Sequence, residues 1–489
     1  MKKISYILIL LLVASSCTEF YEEDLSSLIT SESGALTSET GLTAALAGSY
    51  KPYGWAFNMG FSNGSTMTVL SGSDDITTHH GSNKEAQREF DRFKVSNVSK
   101  HSDRIWRGCY KATQGANNIL ANYENATGNP EVINQIAGEA YFLRAYSYFW
   151  IVRLWGEAPL VLNSHIYDEE LLTINSSPEA DIYAQIVADL KMAESLMANK
   201  KVKPGRACKG TASAVLAEVY LTMAGWPIND ASYYAKAAAK AKEVIDNKDT
   251  YGFDLVPNFA DLWTSPTYNA DNNKEEVFAL NFAGRDGRNA NAIVGKCARP
   301  GEMNGWDDFF CELTFFNEFP AGTRKDVTYL TSWPRGDGVI ISWQQSATAH
   351  PYYKKFFGNE WSQISAISLP LERFAETYMV YAEAQVMATG NTSDPEALEA
   401  FNKIKRRGEG VPLNTPNAAV DATSITQHDI ITEKGWEFAG EFCRWFDLVR
   451  LQMVQEVVDK KDPDDLQPIG PVVYYLPIPF SETSVNTNL

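Results

Sequence analysis

The chain has 489 residues, 44% of them hydrophobic and 21% charged, with a formal net charge of −18. This is the composition of a folded globular protein with material for one large core or two to three smaller ones, and it argues against extended disorder. The acidic balance argues against nucleic acid as a partner, because a chain of net charge −18 is repelled by phosphates.

At the N-terminus Lys2 and Lys3 precede the apolar run ISYILILLLVA, about half of what a membrane-spanning helix needs. The pattern predicts a signal peptide over residues 1–16. Cys17 directly follows Ala14-Ser15-Ser16, which resembles the lipobox of bacterial lipoproteins, with Ala14 where leucine is usual. Acylation of Cys17 would tether the mature chain to a membrane; the alternative is an ordinary secretory signal beside a chance cysteine. The acidic TEFYEED that follows is similar to the export signal of surface lipoproteins in the Bacteroidetes. Cys109, Cys208, Cys297, Cys311 and Cys443 lack CxxC spacing, which argues against a zinc site or a disulfide framework. Cys297 with Cys311 is left as a possible pair.

A loop-rich stretch spans 52–83, and helical periodicity begins near residue 101. In 101–124 a stripe of Ile105, Cys109, Ala112, Ala116, Ile119 and Tyr123 recurs every three to four residues. The segment 132–154 is apolar around most of its girth, with Phe142, Leu143, Tyr146, Phe149 and Trp150 among its large residues, so it is expected inside a helix stack. Ser176, Pro178 and Glu179 open a helix with the stripe Ile182, Ile186, Leu190, Ala193 and Met197. The next helix, 210–225, stops at Gly225 and Pro227, and a helix with small contact residues Ala235, Ala238 and Ala239 follows. Paired as 101–124 with 132–154, 178–198 with 210–225, and 370–389 with 394–407, these have the length of tetratricopeptide units. Between 250 and 365 the period fails, and Gly, Pro, Asn, Asp and aromatics crowd together. Long irregular segments on a helical scaffold usually carry function.

From 433 to 450, Glu433, Glu437, Glu441, Arg444, Asp447 and Arg450 recur at helical spacing among large aromatics, which predicts partly buried intrahelical ion pairs. GFSNG at 60–64 fits a nucleophile-elbow pattern around Ser62, but lacks the strand and helix that an elbow requires. The pairs Asp74-Asp75 and Asp307-Asp308 are adjacent, so their side chains normally point apart, which is unlike a glycosidase pair. His79-His80 beside Asp75 reads as loop polarity rather than a metal site, and SGSDD leaves a calcium ion as a lesser option. No catalytic residues, cofactor or metal ligands are assigned.

The segment GEAYFLRAYSYFWIVRLWGEAPLV resembles the signature helix of the SusD/RagB family of surface lipoproteins. LERFAETYMVYAEAQ at 371–385, EKGWEFAGEFCRWFDLVRL at 433–451, YLPIPFSETSVNTNL at 475–489 and CTEFYEEDLSSLIT after the lipobox agree in order, although Thr487 stands where the family usually has proline. The resemblance implies a mainly α fold: a scaffold of tetratricopeptide-like helix pairs with a loop-rich, irregular ligand face. It divides the chain into the signal peptide, a helical region over 17–249, a loop-rich ligand-face region over 250–365 and a C-terminal helical region over 366–489. It implies a non-enzymatic binding protein at the outer-membrane surface that delivers glycan to a SusC-like TonB-dependent barrel, with a peptide-binding relative as the alternative and an extracellular hydrolase less favoured.

Aromatics outside any apolar period are the candidate ligand residues: Trp55, Trp263, Tyr268, Trp306, Trp333 and Tyr352 stand among Gly, Asn, Asp and Pro. An aromatic face can stack on a pyranose while Asp308 or Arg285 hydrogen-bonds its hydroxyls. Arg285, Arg288, Lys296 and Arg299 also make a locally basic stretch, fit to face an anionic glycan or an acidic partner surface.

Overall fold

The computed structural model describes residues 35–54, 64–81, 85–164, 172–264, 273–282, 296–357 and 368–489. The signal peptide, Cys17, Trp55, Ser62, Tyr268, Arg285 and Arg288 lie outside the described residues.

The longer helices are α1 (Glu39–Gly54), α2 (Lys100–Leu120), α3 (Pro130–Trp155), α4 (Glu179–Leu196), α5 (Lys209–Ala224), α6 (Ser232–Asp246), α7 (Phe374–Thr389), α8 (Pro395–Gly408), α9 (Gln427–Glu437) and the short α10 (Arg444–Arg450). Each packs mainly on its neighbour in the chain from α1 to α6, after which α7 packs on α6 and α8 on α7. This serial stacking of antiparallel pairs is the tetratricopeptide-like scaffold expected.

α3 is the central member. Asn129 caps it by accepting from the Glu131 amide at 3.0 Å, Pro130 occupies the first turn, and Gly156 ends it with a positive φ of 70°. Phe142, Leu143, Tyr146, Phe149 and Trp150 are all buried. The two arginines among these aromatics tie the stack together. Arg144 makes a bidentate pair with Asp189 on α4, at 2.7 and 2.8 Å, and donates to Asn117 on α2 at 2.9 Å. Arg153 pairs with Glu218 on α5 at 2.8 Å, its guanidinium 3.6 Å from the Phe149 ring centroid and 3.8 Å from that of Phe446. A charge in this setting is tolerated because it is paired and sandwiched between rings.

Among the described residues the sheet content is small: four two-stranded antiparallel ribbons, formed by β1 (Thr77–Thr78) with β3 (Phe309–Phe310), β2 (Glu276–Leu280) with β8 (Leu369–Arg373), β4 (Tyr329–Leu330) with β7 (Tyr352–Tyr353), and β5 (Ser332–Pro334) with β6 (Ile340–Ser342). Residues 370–373, expected as the first turn of a helix, belong to strand β8 (Leu369–Arg373). The segment pairs with β2 so that Glu276 faces Arg373 and Leu280 faces Leu369, and this ladder takes up the backbone groups a helical turn would have used.

Where β2, β8, α8 and α9 meet lies a buried ion network. Glu437 accepts from Arg373 at 3.0 Å, Arg407 at 2.7 Å and Arg324 at 3.1 Å. Glu275 also takes Arg373 and Arg407, Glu441 takes Arg373 at 2.6 Å and Lys355 at 2.5 Å, and Arg324 reaches Glu433 at 2.7 Å. The expected intrahelical pairing over 433–450 is therefore corrected. The helix ends at Glu437, Gly440 (φ 77°) and Phe442 (φ 74°) turn the chain, and most partners come from distant elements; the i,i+3 pair Arg450–Asp447 alone of those described stays within one helix.

Burial pushes the Glu437 carboxyl up, but the guanidiniums of Arg407, Arg373 and Arg324 outweigh it and hold the group down at about 2, against an ordinary value of 4.5. A carboxylate with a depressed folded-state value stabilises the fold fully above 4.5 and loses that contribution as pH falls from there through about 2. Glu437→Ala, which strands three guanidiniums without their shared acceptor, is expected to cost about 3–5 kcal/mol in urea unfolding at neutral pH. The penalty should shrink as the titration is repeated at progressively lower pH over that window. A variant as stable as the parent at pH 7 would contradict the network's role.

Candidate functional site

Residues 296–308 form a closed loop. The Trp306 amide donates to the Lys296 carbonyl at 2.7 Å, Asp308 to Cys297 at 2.8 Å and Asp307 to Arg299 at 3.2 Å, so the two limbs run side by side. A 3₁₀ turn over Gly301–Met303 makes the tip, and Asn304 (φ 61°) and Asp307 (φ 53°) take left-handed conformations to close it. Gly305 is a steric requirement: a Cβ there would lie 1.9 Å from the Arg299 carbonyl oxygen. The Asp307 carboxylate accepts from the Gly301 amide and from the Tyr352 hydroxyl. Burial and the Asp307 charge both raise the Tyr352 phenol well above its ordinary value, so it remains the donor throughout the neutral range. Glu302 latches the loop to the β5–β6 hairpin and its neighbour, accepting from Trp333 Nε1 at 3.3 Å and from the Ala347 amide at 3.0 Å.

Held in this way, Trp306 is 47% exposed, with Lys296 Nζ 5.1 Å from its ring centroid. An indole fixed by its own backbone and open to solvent can stack on an apolar ligand face, and the lysine can meet a polar or anionic substituent.

The other described candidates are placed differently. Trp333 is 1% exposed, its ring perpendicular to Tyr352 at 5.4 Å, and Tyr352 is itself buried. Both support the Trp306 loop from beneath and have no face open to a ligand. Trp263 is 4% exposed between Phe259, Phe356 and the Lys355 and Arg373 cations of the ion network, which makes it core. Asp308 is also buried. Trp306, Trp333, Tyr352 and Asp308 are thus brought together, with Trp263 apart from them. Cys297 and Cys311 remain thiols, so their pairing is corrected; Cys311 Sγ donates to the Glu312 carbonyl at 3.3 Å. At SGSDD both aspartates have structural partners. Asp74 pairs bidentately with Arg444 at 2.7 Å, and Asp75 accepts from Ser73 and from the Gly440 amide. Asp307 and Glu302 were not singled out from the sequence for the roles they play. Apart from the Gly301 amide, six residues from Asp307, their partners stand 31 to 45 residues away, beyond any local spacing signal.

Two family models match the chain, one described as starch-binding and associating with the outer membrane over residues 23–221, the other as the SusD family over 191–489. The chain belongs to the SusD family. It is 26% identical to SusD-like protein P2 of Formosa agariphila over 100% of this chain and 98% of the relative. It is also 26% identical to the starch-binding protein SusD of Bacteroides thetaiotaomicron, over 69% of this chain and 67% of that one. Among solved structures, a SusD homolog from Bacteroides thetaiotaomicron superposes with a TM-score of 0.79 at 19% identity, over 93% of this chain and 96% of that one. A laminarin-binding SusD-like protein superposes at 0.74 and 21%, over 92% and 98%. The starch-binding protein SusD and the laminarin-binding protein are named for binding carbohydrate, and the chain is by family a binding protein rather than an enzyme. No helix among the described residues is long and apolar enough to cross a membrane.

The burial difference between the two indoles gives a direct check. Trp333→Ala should lower unfolding free energy by about 3–5 kcal/mol, as truncation of a buried aromatic does. Trp306→Ala should leave the unfolding midpoint within experimental error. Equal losses in the two variants would place Trp306 in the core.

Proposed function

We propose that this protein is an outer-membrane surface lipoprotein, anchored through acylated Cys17, that captures a glycan on the Trp306 loop and delivers it to a SusC-like TonB-dependent barrel. The observation that carries the reading is the exposed indole of Trp306 on a loop that is hydrogen-bonded at its limbs, its tip and its base. A pyranose presents an axial C–H face that packs on an indole while its hydroxyls remain available to polar groups, and a pre-organised platform loses little entropy when the sugar docks. The family supports the same reading. Relatives include a starch-binding protein and a laminarin-binding protein, and one structure was solved with xylogluco-oligosaccharide. With one scaffold serving different glycans, the ligand is set by the loops. Trp55, Tyr268 and Arg285 belong to the same proposal as further contributors to the ligand face.

Glycan-array screening followed by calorimetric titration tests the site. Trp306→Ala should weaken binding of the cognate oligosaccharide roughly tenfold or more, the loss of about 1–3 kcal/mol seen when aromatic stacking platforms are truncated. Unchanged affinity in the folded variant would remove Trp306 from the site. Including neutral and uronic or sulfated glycans in the screen reads the part played by Lys296.

The anchor is tested separately. Cys17→Ala should move the protein from the detergent phase to the aqueous phase of a phase partition, since two or more acyl chains are what hold such a protein on a bilayer. Retention in the detergent phase would contradict lipidation there. Affinity capture from native membranes should recover a large TonB-dependent barrel together with the protein; recovery of the protein alone, under conditions that preserve other such pairs, would contradict delivery.

A further inference from the structure

The buried charges of the C-terminal half fall into two groups with different balance. In the first, Arg324, Lys355, Arg373 and Arg407 face Glu275, Glu433, Glu437 and Glu441, so each cation is matched by a carboxylate. In the second, where α3, α5, α7, α9 and α10 meet, Arg153, Lys434 and Arg450 face Glu218, Glu372, Glu376, Glu383 and Asp447. Three cations against five carboxyl groups leave two carboxyls without a cation, and burial pushes the Glu218 and Glu372 carboxyls up, with Glu372 hydrogen-bonded to Glu376, so these two must be neutralised either by protons or by a bound cation.

The surplus is concentrated at one point. Glu218 on α5, Glu372 in β8 and Glu376 in the first turn of α7 are 8%, 7% and 6% exposed. Each directs a carboxylate oxygen into a common space in which these atoms all lie within 4.8 Å of one another. Arg153 occupies Glu218 Oε1 at 2.8 Å, the Tyr146 hydroxyl donates to Glu372 Oε1 at 3.0 Å, and Lys434 is shared between Glu376 Oε1 at 2.8 Å and Asp447 at 2.9 Å. Glu218 Oε2 is buried with no hydrogen-bond partner. Calcium–oxygen bonds of about 2.3–2.6 Å let donors up to about 5 Å apart share one ion.

We infer that Glu218, Glu372 and Glu376 together bind one hard divalent cation of the calcium class. A single such ion supplies both missing charges and gives Glu218 Oε2 its partner. The donors are all oxygen, which suits a hard cation and not zinc or copper. Calcium tolerates an irregular set of this kind, whereas magnesium demands a near-ideal octahedron. The site joins a strand and two helices of the scaffold, so its role is to fasten α5 against β8 and α7. Because the carboxylates are buried, the ion enters as the protein folds.

Elemental analysis of the full-length protein, dialysed exhaustively against metal-free buffer, should find about one equivalent of calcium retained, as expected for a site formed on folding. Unfolding and refolding in chelator should lower the Tm by several degrees, and refolding with calcium should restore it. Glu372→Gln, which is isosteric with a protonated glutamate, and Glu218→Gln should each lose both the metal and the calcium dependence of the Tm. Metal-free protein with the same Tm in chelator and in calcium would overturn the inference and assign the missing charge to two protons. Full retention of the metal by both variants would overturn it by placing the ion elsewhere. If the variants do not fold, wild-type crystals decide: anomalous density among the three carboxylates supports the site, and its absence overturns it.

Discussion

The fold of the C-terminal half depends on one carboxylate. Glu437 stands at the end of α9 and gathers guanidiniums from β8, from α8 and from Arg324 ahead of β4, while Glu275 beside β2 shares two of them. Charges so deeply buried survive only when each is matched and hydrogen-bonded, so the network fixes the mutual position of every element that feeds it. Apolar packing alone would tolerate small slips between α7, α8 and α9. Here a slip of one residue would strand a charge. The same network carries Trp263 on the faces of Lys355 and Arg373, and so attaches the irregular region between the helical halves to the scaffold.

That attachment bears on binding. A loop such as 296–308 would ordinarily be the least stable part of such a protein. Its limbs are instead bonded to each other, its tip is latched by Glu302 to the hairpin side, and its base continues into β3, which pairs with β1. In the role proposed for it, the Trp306 indole is therefore positioned before a ligand arrives, and stacking need not first order the loop.

How much of this the sequence disclosed varies by element. The helix pairs were legible because a 3.6-residue period survives wherever one face is buried, and the all-round apolar character of 132–154 correctly placed α3 inside the stack. Its two arginines gave no hint of their partners, since Asp189 and Glu218 come from other helices. The charged run over 433–450 misled for the same reason: spacing that suits intrahelical pairs suits a helix, a turn and a second helix facing distant cations equally well. Among the aromatics, local composition did not separate Trp306 from Trp263 and Trp333. All three stand among turn-forming residues, but the irregular region packs onto the main hydrophobic core, and Trp263 and Trp333 join that core while Trp306 does not. Exposure in a loop-rich segment is decided by tertiary contacts that no short window contains.

The central claim is that a rigid loop presents Trp306 as the sugar platform, and a crystal structure of the protein with the best oligosaccharide from a glycan screen tests it most directly. The account predicts a pyranose ring stacked on the Trp306 indole, with the 296–308 backbone unmoved from its unliganded course. A glycan bound elsewhere, with the Trp306 ring left facing solvent, would contradict it.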